Sequence, residues 1–402
     1  MTSTKECIKL EEKYGARNYN PLDVVISKGR GIWVEDAEGK RYMDFLAAYS
    51  ALNQGHNHPR LVKALQEQAE KLSLTSRAFR NDQLPYFEKE LCELTGYEMM
   101  LPMNSGAESV ETAIKAARKW GEKIKGVEQN KSEIITCSGN FHGRTVTIVS
   151  FSDEEQYRDG FGPFTPGFHI IEYNNVEALK SAINENTVAF LVEPIQGEGG
   201  VVVPDEGYMQ ACEEICRKNN VLLIADEIPS GLGRTGKMFA CDHEDVKPDM
   251  ITIGKALSGG MYPISAVVGS SEVLGVFNPG DHGSTYGGNP IASAVGRESL
   301  KVLVEEKLLE RSAELGKYFH EKLETIDSPY VDFIRGKGLW IGIVLKQPAR
   351  PFCKALMEKG ILAKDTHGNV IRIAPPLVIK KEEIDQAFAA IEEVLTDDSF
   401  KQ

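Results

Sequence analysis

The sequence has no long apolar run. A membrane-spanning helix needs roughly 18 consecutive apolar residues, and polar or glycine residues interrupt every apolar segment before that length. The stretch Met1–Cys7 lacks the apolar core of a secretion signal, and the first arginine, Arg17, comes late for a transit peptide. We therefore expect a cytoplasmic protein.

Cysteine is scarce and irregularly spaced. The chain has 7 cysteines among 402 residues, an odd number that is typical of a reducing compartment rather than of a disulfide framework. Cys212 and Cys216 lie four apart on a predicted helix, and no His or Cys pair stands near them at zinc spacing. We interpret both as small buried residues and expect no metal.

Positive charge is also in deficit. The chain has 46 Lys and Arg against 59 Asp and Glu, a net charge of −13, which argues against a nucleic-acid partner because such binding needs concentrated basic residues. The hydrophobic content of 42% and charged content of 26% are those of a soluble globular protein. The length predicts about two or three domain-sized units.

Two apolar segments each lead into a charged side chain. Residues 221–225 precede Asp226, and 250–254 precede Lys255. Such runs are typical of strands buried on both faces of a parallel sheet, and ligands bind beyond the carboxyl ends of these strands. An acid and an amine there suit a pyridine cofactor held at its nitrogen and its aldehyde. A salt bridge at the edge of the sheet explains the two residues equally well.

The order of predicted elements indicates the fold class. From about residue 58, helices alternate with short apolar strands, the pattern of an α/β fold with a mostly parallel, doubly wound sheet and helices on both faces. Strands are predicted at 133–137, 145–151, 168–172, 187–192, 221–225 and 250–254, with a further apolar segment at 264–269.

The two ends of the chain differ from this pattern, and we expect them to form a smaller α+β domain together. The predicted end elements are a helix at 5–15, an antiparallel meander at 24–46, a helical stretch from about 290 to 325, and antiparallel segments at 338–344 and 370–373. The predicted division is 1–54 (small domain), 55–292 (large domain) and 293–402 (small domain).

The segment Asn104–Glu108 precedes a predicted helix. Ser105 and Glu108 form a capping-box pattern, which explains both residues without any ligand. Gly106 and Ala107 are not required by that motif, and small residues in a first helical turn let a phosphate approach the free N–H groups. The segment is therefore a candidate phosphate site.

Two other patterns have simpler explanations than the sites they resemble. Gly231–Lys237 contains Gly-x-Gly-x-x-Gly and nearly matches a P-loop, but Met238 stands where the P-loop needs Ser or Thr, and no apolar-periodic helix follows. His56 and His58 lack further ligands at metal spacing, so a turn and a helix start explain them better.

Further polar groupings follow predicted strands. Phe141, His142 and Arg144 combine an aromatic ring, an imidazole and a forked donor, which suits stacking and carboxylate capture, although a polar loop explains them by itself. Glu193 and Glu198 lie after the strand at 187–192 and could perform acid–base chemistry or form ion pairs with Arg372.

Taken together and in this order, the motifs resemble the class III aminotransferases, pyridoxal-phosphate enzymes of fold type I, nearly from end to end. The segments that carry the resemblance are Asn104–Glu108, Phe141–Arg144, Glu193–Glu198, Asp226–Glu227, Gly254–Leu257 and His282–Pro290.

Other segments resemble the ornithine δ-aminotransferase branch of that class. They are Tyr14–Tyr19, Ala48–His56, Ser76–Phe79 and Ile371–Pro376. The resemblance implies transfer of the δ-amino group of ornithine to 2-oxoglutarate, which gives glutamate semialdehyde, its cyclic form pyrroline-5-carboxylate, and glutamate.

The resemblance also implies cofactor-binding roles. Lys255 would carry pyridoxal phosphate through its amine and shuttle a proton, Asp226 would bond the pyridine N–H, and Phe141 would stack on the ring. The phosphate would be held by Ser105, Gly106 and Ala107, and by Thr285 of the neighbouring subunit of a homodimer.

Substrate-binding roles follow in the same way. Tyr19 and Arg144 would hold the α-amino and α-carboxylate end of ornithine, and Tyr49 would line the cavity. Glu198 would pair with Arg372 while ornithine is bound and would release that arginine to bind 2-oxoglutarate. Arginine suits such bidentate carboxylate recognition better than lysine does.

One residue departs from the family pattern. Pro229 occupies the place of a glutamine that contacts the phenolic oxygen of the cofactor, and proline removes both that amide and a backbone N–H. The loss of one hydrogen bond, about 1 kcal/mol, would weaken the cofactor site without abolishing it. Ser105, where threonine is common, keeps the hydroxyl. Alternatives are a related enzyme acting on acetylornithine or 4-aminobutyrate, an impaired cofactor-binding protein, and a racemase or mutase.

Overall fold

The computed structural model describes residues 3–400. Its strands are β1 (Ile26–Arg30), β2 (Trp33–Asp36), β3 (Arg41–Asp44), β4 (Met99–Met103), β5 (Glu133–Cys137), β6 (Phe168–Ile171), β7 (Thr187–Val192), β8 (Leu222–Asp226), β9 (Met250–Ile253), β10 (Ser265–Gly269), β11 (Val331–Lys337), β12 (Trp340–Leu345), β13 (Ile361–Leu362), β14 (Lys364–Thr366) and β15 (Val370–Ile373).

The helices are distributed along the whole chain. They are α1 (Thr4–Tyr14), α2 (Ala47–Ser50), α3 (Pro59–Lys71), α4 (Leu84–Thr95), α5 (Gly106–Trp120), α6 (Val146–Val149), α7 (Glu155–Arg158), α8 (Val176–Ala182), α9 (Tyr208–Lys218), α10 (Ser271–Leu274), α11 (Pro290–Glu305), α12 (Leu308–Leu323), α13 (Arg350–Glu358) and α14 (Lys381–Leu395).

A seven-stranded sheet forms the centre of the fold, in the order β4-β10-β9-β8-β7-β5-β6. The five strands from β9 to β6 are parallel, and β10 runs antiparallel to both β9 and β4. Every residue of β7, β8 and β9 is buried, as expected for strands covered on both faces. The predicted mostly parallel sheet is confirmed.

Two four-stranded sheets lie outside the central one. The first has the order β1-β2-β3-β13 and joins the N-terminal meander to a strand from the C-terminal part through parallel pairing of β13 with β3. The second, β11-β12-β15-β14, is antiparallel throughout. The smaller α+β part is therefore built from both ends of the chain, as predicted.

The strand predicted at 145–151 is wrong, because the structure has helix α6 there. The Thr145 hydroxyl accepts a hydrogen bond from the Ile148 N–H at 3.2 Å and caps the helix. Ile148 and Val149 are buried, whereas Val146 is exposed. Capping and one-sided burial outweigh the strand propensity of β-branched residues.

The sequence pattern missed strands β4, β11, β13 and β14 and merged two helices. Strand β4 contains methionine and proline rather than β-branched residues, and Pro102 is tolerated because β4 lies at the edge of the sheet. The helical stretch predicted from about 290 to 325 is two helices, α11 and α12, separated at Lys307, whose φ is 53°. Among residues 3–400, no helix has the length and apolar character needed to span a membrane.

A close backbone contact joins helix α12 to the turn between β11 and β12. A Cβ atom placed on Gly316 would lie 2.6 Å from the Cα of Gly338. Gly338 has a φ of 57° and itself packs against backbone atoms of Arg234, Thr235 and Gly236. Neither side of the contact can retreat, since both are backbone.

We expect Gly316→Ala to destabilise the protein by about 1–3 kcal/mol, the range for overpacking a tight interior, even though alanine normally stabilises a helix by about 1 kcal/mol relative to glycine. Thermal unfolding followed by circular dichroism would measure the change. Lys317→Ala, at the exposed neighbouring position, is the matched control and should shift stability by no more than about 0.5 kcal/mol. An increase in melting temperature for Gly316→Ala would contradict the contact.

Candidate active site

Four neighbouring parallel strands end at polar or aromatic side chains. Asp226 is the last residue of β8, Glu193 directly follows β7, and Lys255 lies two residues beyond β9. Phe141 follows β5 after a short turn, and its N–H donates to the Glu193 carboxylate at 2.9 Å. The carboxyl edge of the central sheet therefore gathers these four residues, as the strand pattern predicts.

Lys255 has an unusual backbone and an unusual amine. Its φ is 45°, in the left-handed region that a side chain other than glycine rarely adopts. The side chain is half-buried, and its amine makes no hydrogen bond to any residue in the described range 3–400. Burial lowers the pKa of the Lys255 amine, and the positive charge of Arg372 acts in the same direction. A neutral amine at this place is a nucleophile and a proton acceptor.

Asp226 is buried, and both of its oxygens are engaged. Oδ1 accepts from the Thr252 hydroxyl at 3.0 Å and from the Ile228 N–H at 3.1 Å, and Oδ2 lies 2.6 Å from His142 Nδ1. A carboxylate has about four acceptor positions, so one remains for a ring N–H. Burial opposes a charge on His142, but the bond to Asp226 outweighs it and raises the pKa of the imidazole.

The N-terminus of α5 forms an open cradle of N–H groups. Ser105 is the N-cap: its hydroxyl accepts from the Glu108 N–H at 3.3 Å, and its own N–H donates to the Glu108 carboxylate at 2.7 Å, which completes the predicted capping box. The N–H groups of Gly106 and Ala107 make no hydrogen bond within residues 3–400. Two free N–H groups at the positive end of a helix dipole suit a phosphate.

Ile228 connects this cradle to the lysine turn. A Cβ on Gly106 would lie 3.1 Å from the Cδ1 of Ile228, and one on Gly254 would lie 3.5 Å from its Cγ2. The two glycines thus allow the apolar side chain to lie between the phosphate cradle and Lys255. A flat apolar ring that bridges these two places would contact Ile228.

Glu198 and Arg372 form the predicted ion pair. Arg372 Nη1 donates to Glu198 Oε1 at 2.7 Å, and Arg372 is only 1% exposed. Its Nε and Nη2 atoms are buried and have no partner within residues 3–400. Burial raises the pKa of Glu198, but the charges of Arg372 and Lys255 outweigh it and lower that pKa overall. The free donors are able to bind a second carboxylate.

The other predicted substrate residues lie around this pair at different depths. Tyr49 is half-buried, and its ring centre lies 5.7 Å from Arg372 Cζ. It belongs to α2, a left-handed turn in which φ is positive from Ala47 to Ser50. Tyr19 and Arg144 are exposed, and Arg144 lies over the ring of Tyr157 at 3.4 Å. The structure therefore brings Tyr49 to Arg372 but leaves Tyr19 and Arg144 at the rim.

Thr285 lies on an exposed loop. The neighbouring residue Ser284 accepts a hydrogen bond from the Asn104 amide of the same chain at 2.8 Å. The loop is therefore adjacent to the phosphate cradle, while the Thr285 side chain faces outward. Such a residue is free to serve a second subunit.

The glycine-rich segment Gly231–Lys237 has a structural role. It wraps around Arg234, which is fully buried and donates to the carbonyl oxygens of Leu339 at 2.9 Å and Pro375 at 2.6 Å. Burial and the charge of Arg372 lower the pKa of Arg234 to about 9. Pro229 is buried beside Gly197, where a Cβ would lie 3.7 Å from the Pro229 Cβ.

Sequence reasoning named His142 and Glu193 as candidates but did not predict the bonds that they make. His142 bonds Asp226, and Glu193 bonds Phe141. Glu193, like Asp226, follows an apolar run, so the sequence contained a signal for its place at the edge of the sheet. Trp340, which lies 5.3 Å from Arg372 Cζ, gave no signal, because a tryptophan in a strand is ordinary core.

The profile of the aminotransferase class-III family matches residues 14–395. An ornithine aminotransferase of Geobacillus sp. (strain WCH70) is 59% identical over 395 residues, which cover 98% of this chain and 99% of that protein.

Solved structures with the same fold include two enzymes with different names. An ornithine aminotransferase from Toxoplasma gondii, with partial occupancy of PLP at its active site, has a TM-score of 0.97 and 45% identity over 98% of this chain and 94% of its own. An acetylornithine aminotransferase from Elizabethkingia anophelis has a TM-score of 0.90 and 48% identity over 98% of this chain and 99% of its own.

We expect the Lys255 amine to react with a small aldehyde at a lower pH than surface lysines do, because its pKa is lowered. Reductive methylation of the cofactor-free protein across pH 6–10, followed by peptide mass mapping, would give the pH midpoint for each lysine. Lys63, an exposed helical residue, is the control. Accessibility changes the rate but not the midpoint, so equal midpoints for the two lysines would contradict the lowered pKa.

Proposed function

The chain belongs to the class-III aminotransferase family, and from this premise we propose that it transfers the δ-amino group of L-ornithine to 2-oxoglutarate. The products are glutamate 5-semialdehyde, which cyclises to pyrroline-5-carboxylate, and glutamate. The ornithine aminotransferase identity at 59% over nearly the whole of both chains supports this reaction. The single structural observation that carries it is the Glu198–Arg372 pair with two unused guanidinium nitrogens.

We propose pyridoxal 5'-phosphate as the cofactor. The residues present suit it: a free amine at Lys255, one vacant acceptor position on Asp226, and two free N–H groups at the start of α5. The chemistry supplied by this cofactor when bound is an aldehyde that condenses with amines and a protonated ring that accepts an electron pair.

Each cofactor-side residue then has a physical task. The Lys255 Nζ atom, whose pKa is lowered by burial, accepts a proton from the carbon that bears the amine and returns it on the other side of the transfer. The Asp226 carboxylate holds a proton on the ring nitrogen. Phe141 restricts the ring by stacking, and Ser105 with the N–H groups of Gly106 and Ala107 holds the phosphate.

Ornithine is bound at its α end. Arg144 provides a forked donor for the α-carboxylate and Tyr19 contacts the α-amino group, so that the δ-amine extends toward Lys255. Tyr49 lines the path. While the cationic substrate is present, Glu198 neutralises Arg372, since an unpaired guanidinium in the pocket would repel the amine.

The second substrate is a dicarboxylate and requires the opposite charge in the pocket. When Glu198 turns away, Arg372 offers Nη1 together with Nη2 to a carboxylate, which gives a bidentate contact. Trp340 and Tyr49 lie 5.3 and 5.7 Å from its Cζ and keep the guanidinium in place as Glu198 leaves. One pocket thus serves both substrates.

The rival activities lack a specific observation in their favour. Acetylornithine aminotransferases are among the solved structural relatives, but the relative reported above at 59% identity carries the ornithine name. Pro229 is the residue that suggested an impaired cofactor-binding protein. It removes one side-chain contact but leaves Lys255, Asp226 and the phosphate cradle in place.

We further propose a homodimer in which Thr285 of each chain contacts the phosphate bound by the other. The exposed position of Thr285 supports this arrangement. We also keep the division into 1–54, 55–292 and 293–402 and a cytoplasmic location as proposals; Met1, Thr2, Lys401 and Gln402 lie outside the described residues.

Purified protein supplied with the cofactor, ornithine and 2-oxoglutarate should form pyrroline-5-carboxylate, which o-aminobenzaldehyde traps as a coloured product. Lys255→Ala should lower the rate by at least about 10³-fold, because both the covalent and proton-transfer roles are lost. Acetylornithine and 4-aminobutyrate should each give a kcat/KM at least tenfold below that of ornithine. Preference for either of them, or product formation without a keto acid, would replace the proposed reaction.

Subunit mixing would test whether Thr285 acts across the dimer. Thr285→Ala should raise the cofactor concentration needed for half-maximal activity by about tenfold, the effect of one charge-assisted hydrogen bond, and Thr285→Ser should not. A mixed dimer of Lys255→Ala and Thr285→Ala chains then has one intact site if Thr285 acts on its partner, and it should work at the wild-type cofactor concentration. A raised requirement in the mixed dimer would show that Thr285 acts within its own chain.

A further inference from the structure

Glu193 stands between two loops that carry separate parts of the site. Its Oε2 atom accepts from the N–H of Phe141 at 2.9 Å, and its Oε1 atom accepts from the N–H of Gly197 at 3.3 Å. Phe141 is the residue proposed to stack on the cofactor ring, and Gly197 directly precedes Glu198. One carboxylate therefore connects the stacking residue to the residue that pairs with Arg372.

The surroundings of Glu193 give this bridge rigidity. The side chain is 2% exposed, so water does not compete for its two acceptor oxygens. Gly197 is also held from the other side, because a Cβ at that position would lie 2.8 Å from Cζ2 of the Trp340 ring. The backbone before Glu198 is thus clamped between a carboxylate and an indole.

We propose that Glu193 is a positioning residue that fixes the Phe141 loop and the Glu198 loop in one frame, so that the Glu198 side chain swings while its backbone stays in place. This inference rests on the proposed function, which requires Glu198 to leave Arg372 once in each catalytic cycle. A carboxylate is needed for the bridge because it offers two acceptor oxygens and no donor.

The charge of Glu193 depends on pH in the physiological range. Burial raises the pKa of Glu193 to about 7; His142 lowers it and Asp226 raises it. Lys255, Cys137 and Tyr173 also face this carboxylate. Burial raises the pKa of both Cys137 and Tyr173, so neither changes charge near pH 7. His142, whose pKa is raised by its bond to Asp226 against the effect of burial, is the nearest titratable partner of this carboxylate.

Trp340 is a built-in reporter of the bridge. The chain has 3 tryptophans, so Trp33→Phe with Trp120→Phe leaves Trp340 as the single emitter. In the cofactor-free protein, its emission should change with a midpoint near pH 7 as Glu193 gains its charge. Glu193→Gln should remove most of that change. A transition of undiminished size in Glu193→Gln would assign it to another group and overturn the inference.

Glu227→Gln is the matched control. Glu227 is equally buried and accepts from the Cys241 N–H at 2.8 Å and from the Ser230 hydroxyl, so it holds neither site loop. Its variant should keep the Trp340 transition. Loss of the transition in both variants would mean that any buried carboxylate produces it, which contradicts a specific bridge.

Kinetics on the complete enzyme provides a readout that general destabilisation does not move. In Glu193→Gln, the side chain keeps one acceptor oxygen, and its NH2 group faces the second backbone N–H. The bond to the Gly197 N–H is the longer of the two and should be the one that is lost. The KM for ornithine should then rise about fivefold, the factor expected for one lost hydrogen bond, because Glu198 no longer screens Arg372. The KM for 2-oxoglutarate should change less than twofold. Equal changes in both would contradict the bridge.

Glu193→Asp covers the case in which the glutamine variant does not fold. Aspartate keeps the ionisable group but is one methylene too short to reach both loops, so the KM split should appear. A wild-type kinetic split in a folded Glu193→Asp protein would overturn the inference. If the wild-type enzyme fails to convert ornithine, the proposed reaction is wrong, whereas the cofactor-free fluorescence still tests the bridge.

Discussion

The parallel pairing of β5, β7, β8 and β9 is the constraint on which the site depends. Because these strands point the same way, their carboxyl ends share one edge, and residues more than a hundred positions apart become neighbours. Phe141, Glu193, Asp226 and Lys255 each come from a different strand end. No local segment could assemble this set, and a shift in the register of any one strand would remove a member from it.

A second constraint is the balance of buried charge. An unpaired charge in a protein interior is strongly unfavourable, and the site contains several of both signs. Arg372 is matched by Glu198, and Asp226 is matched by His142. Lys255 has no such partner among residues 3–400, and its pKa is lowered instead. The pattern separates the charges that are paired from the one amine that must be neutral to react.

The fold and much of the site could be predicted from the sequence because apolar runs bounded by charges are strong signals. Asp226 and Lys255 stand at the ends of such runs. Local patterns fail where long-range packing decides: the β-branched segment at 146–149 is helical, since a threonine cap and one-sided burial favour a helix. The bond between His142 and Asp226 joins residues 84 positions apart, so spacing alone does not reveal it.

The backbone at Lys255 has a consequence for how this chain could evolve. A left-handed conformation at a residue with a side chain costs about 1–2 kcal/mol, and a buried amine beside a guanidinium adds to that burden. Glycine would relieve both, so a laboratory selection for heat resistance alone would discard the lysine. Lys255 therefore lowers the stability of the fold and is kept because catalysis needs its amine. Variants collected without an activity screen should lose this residue early.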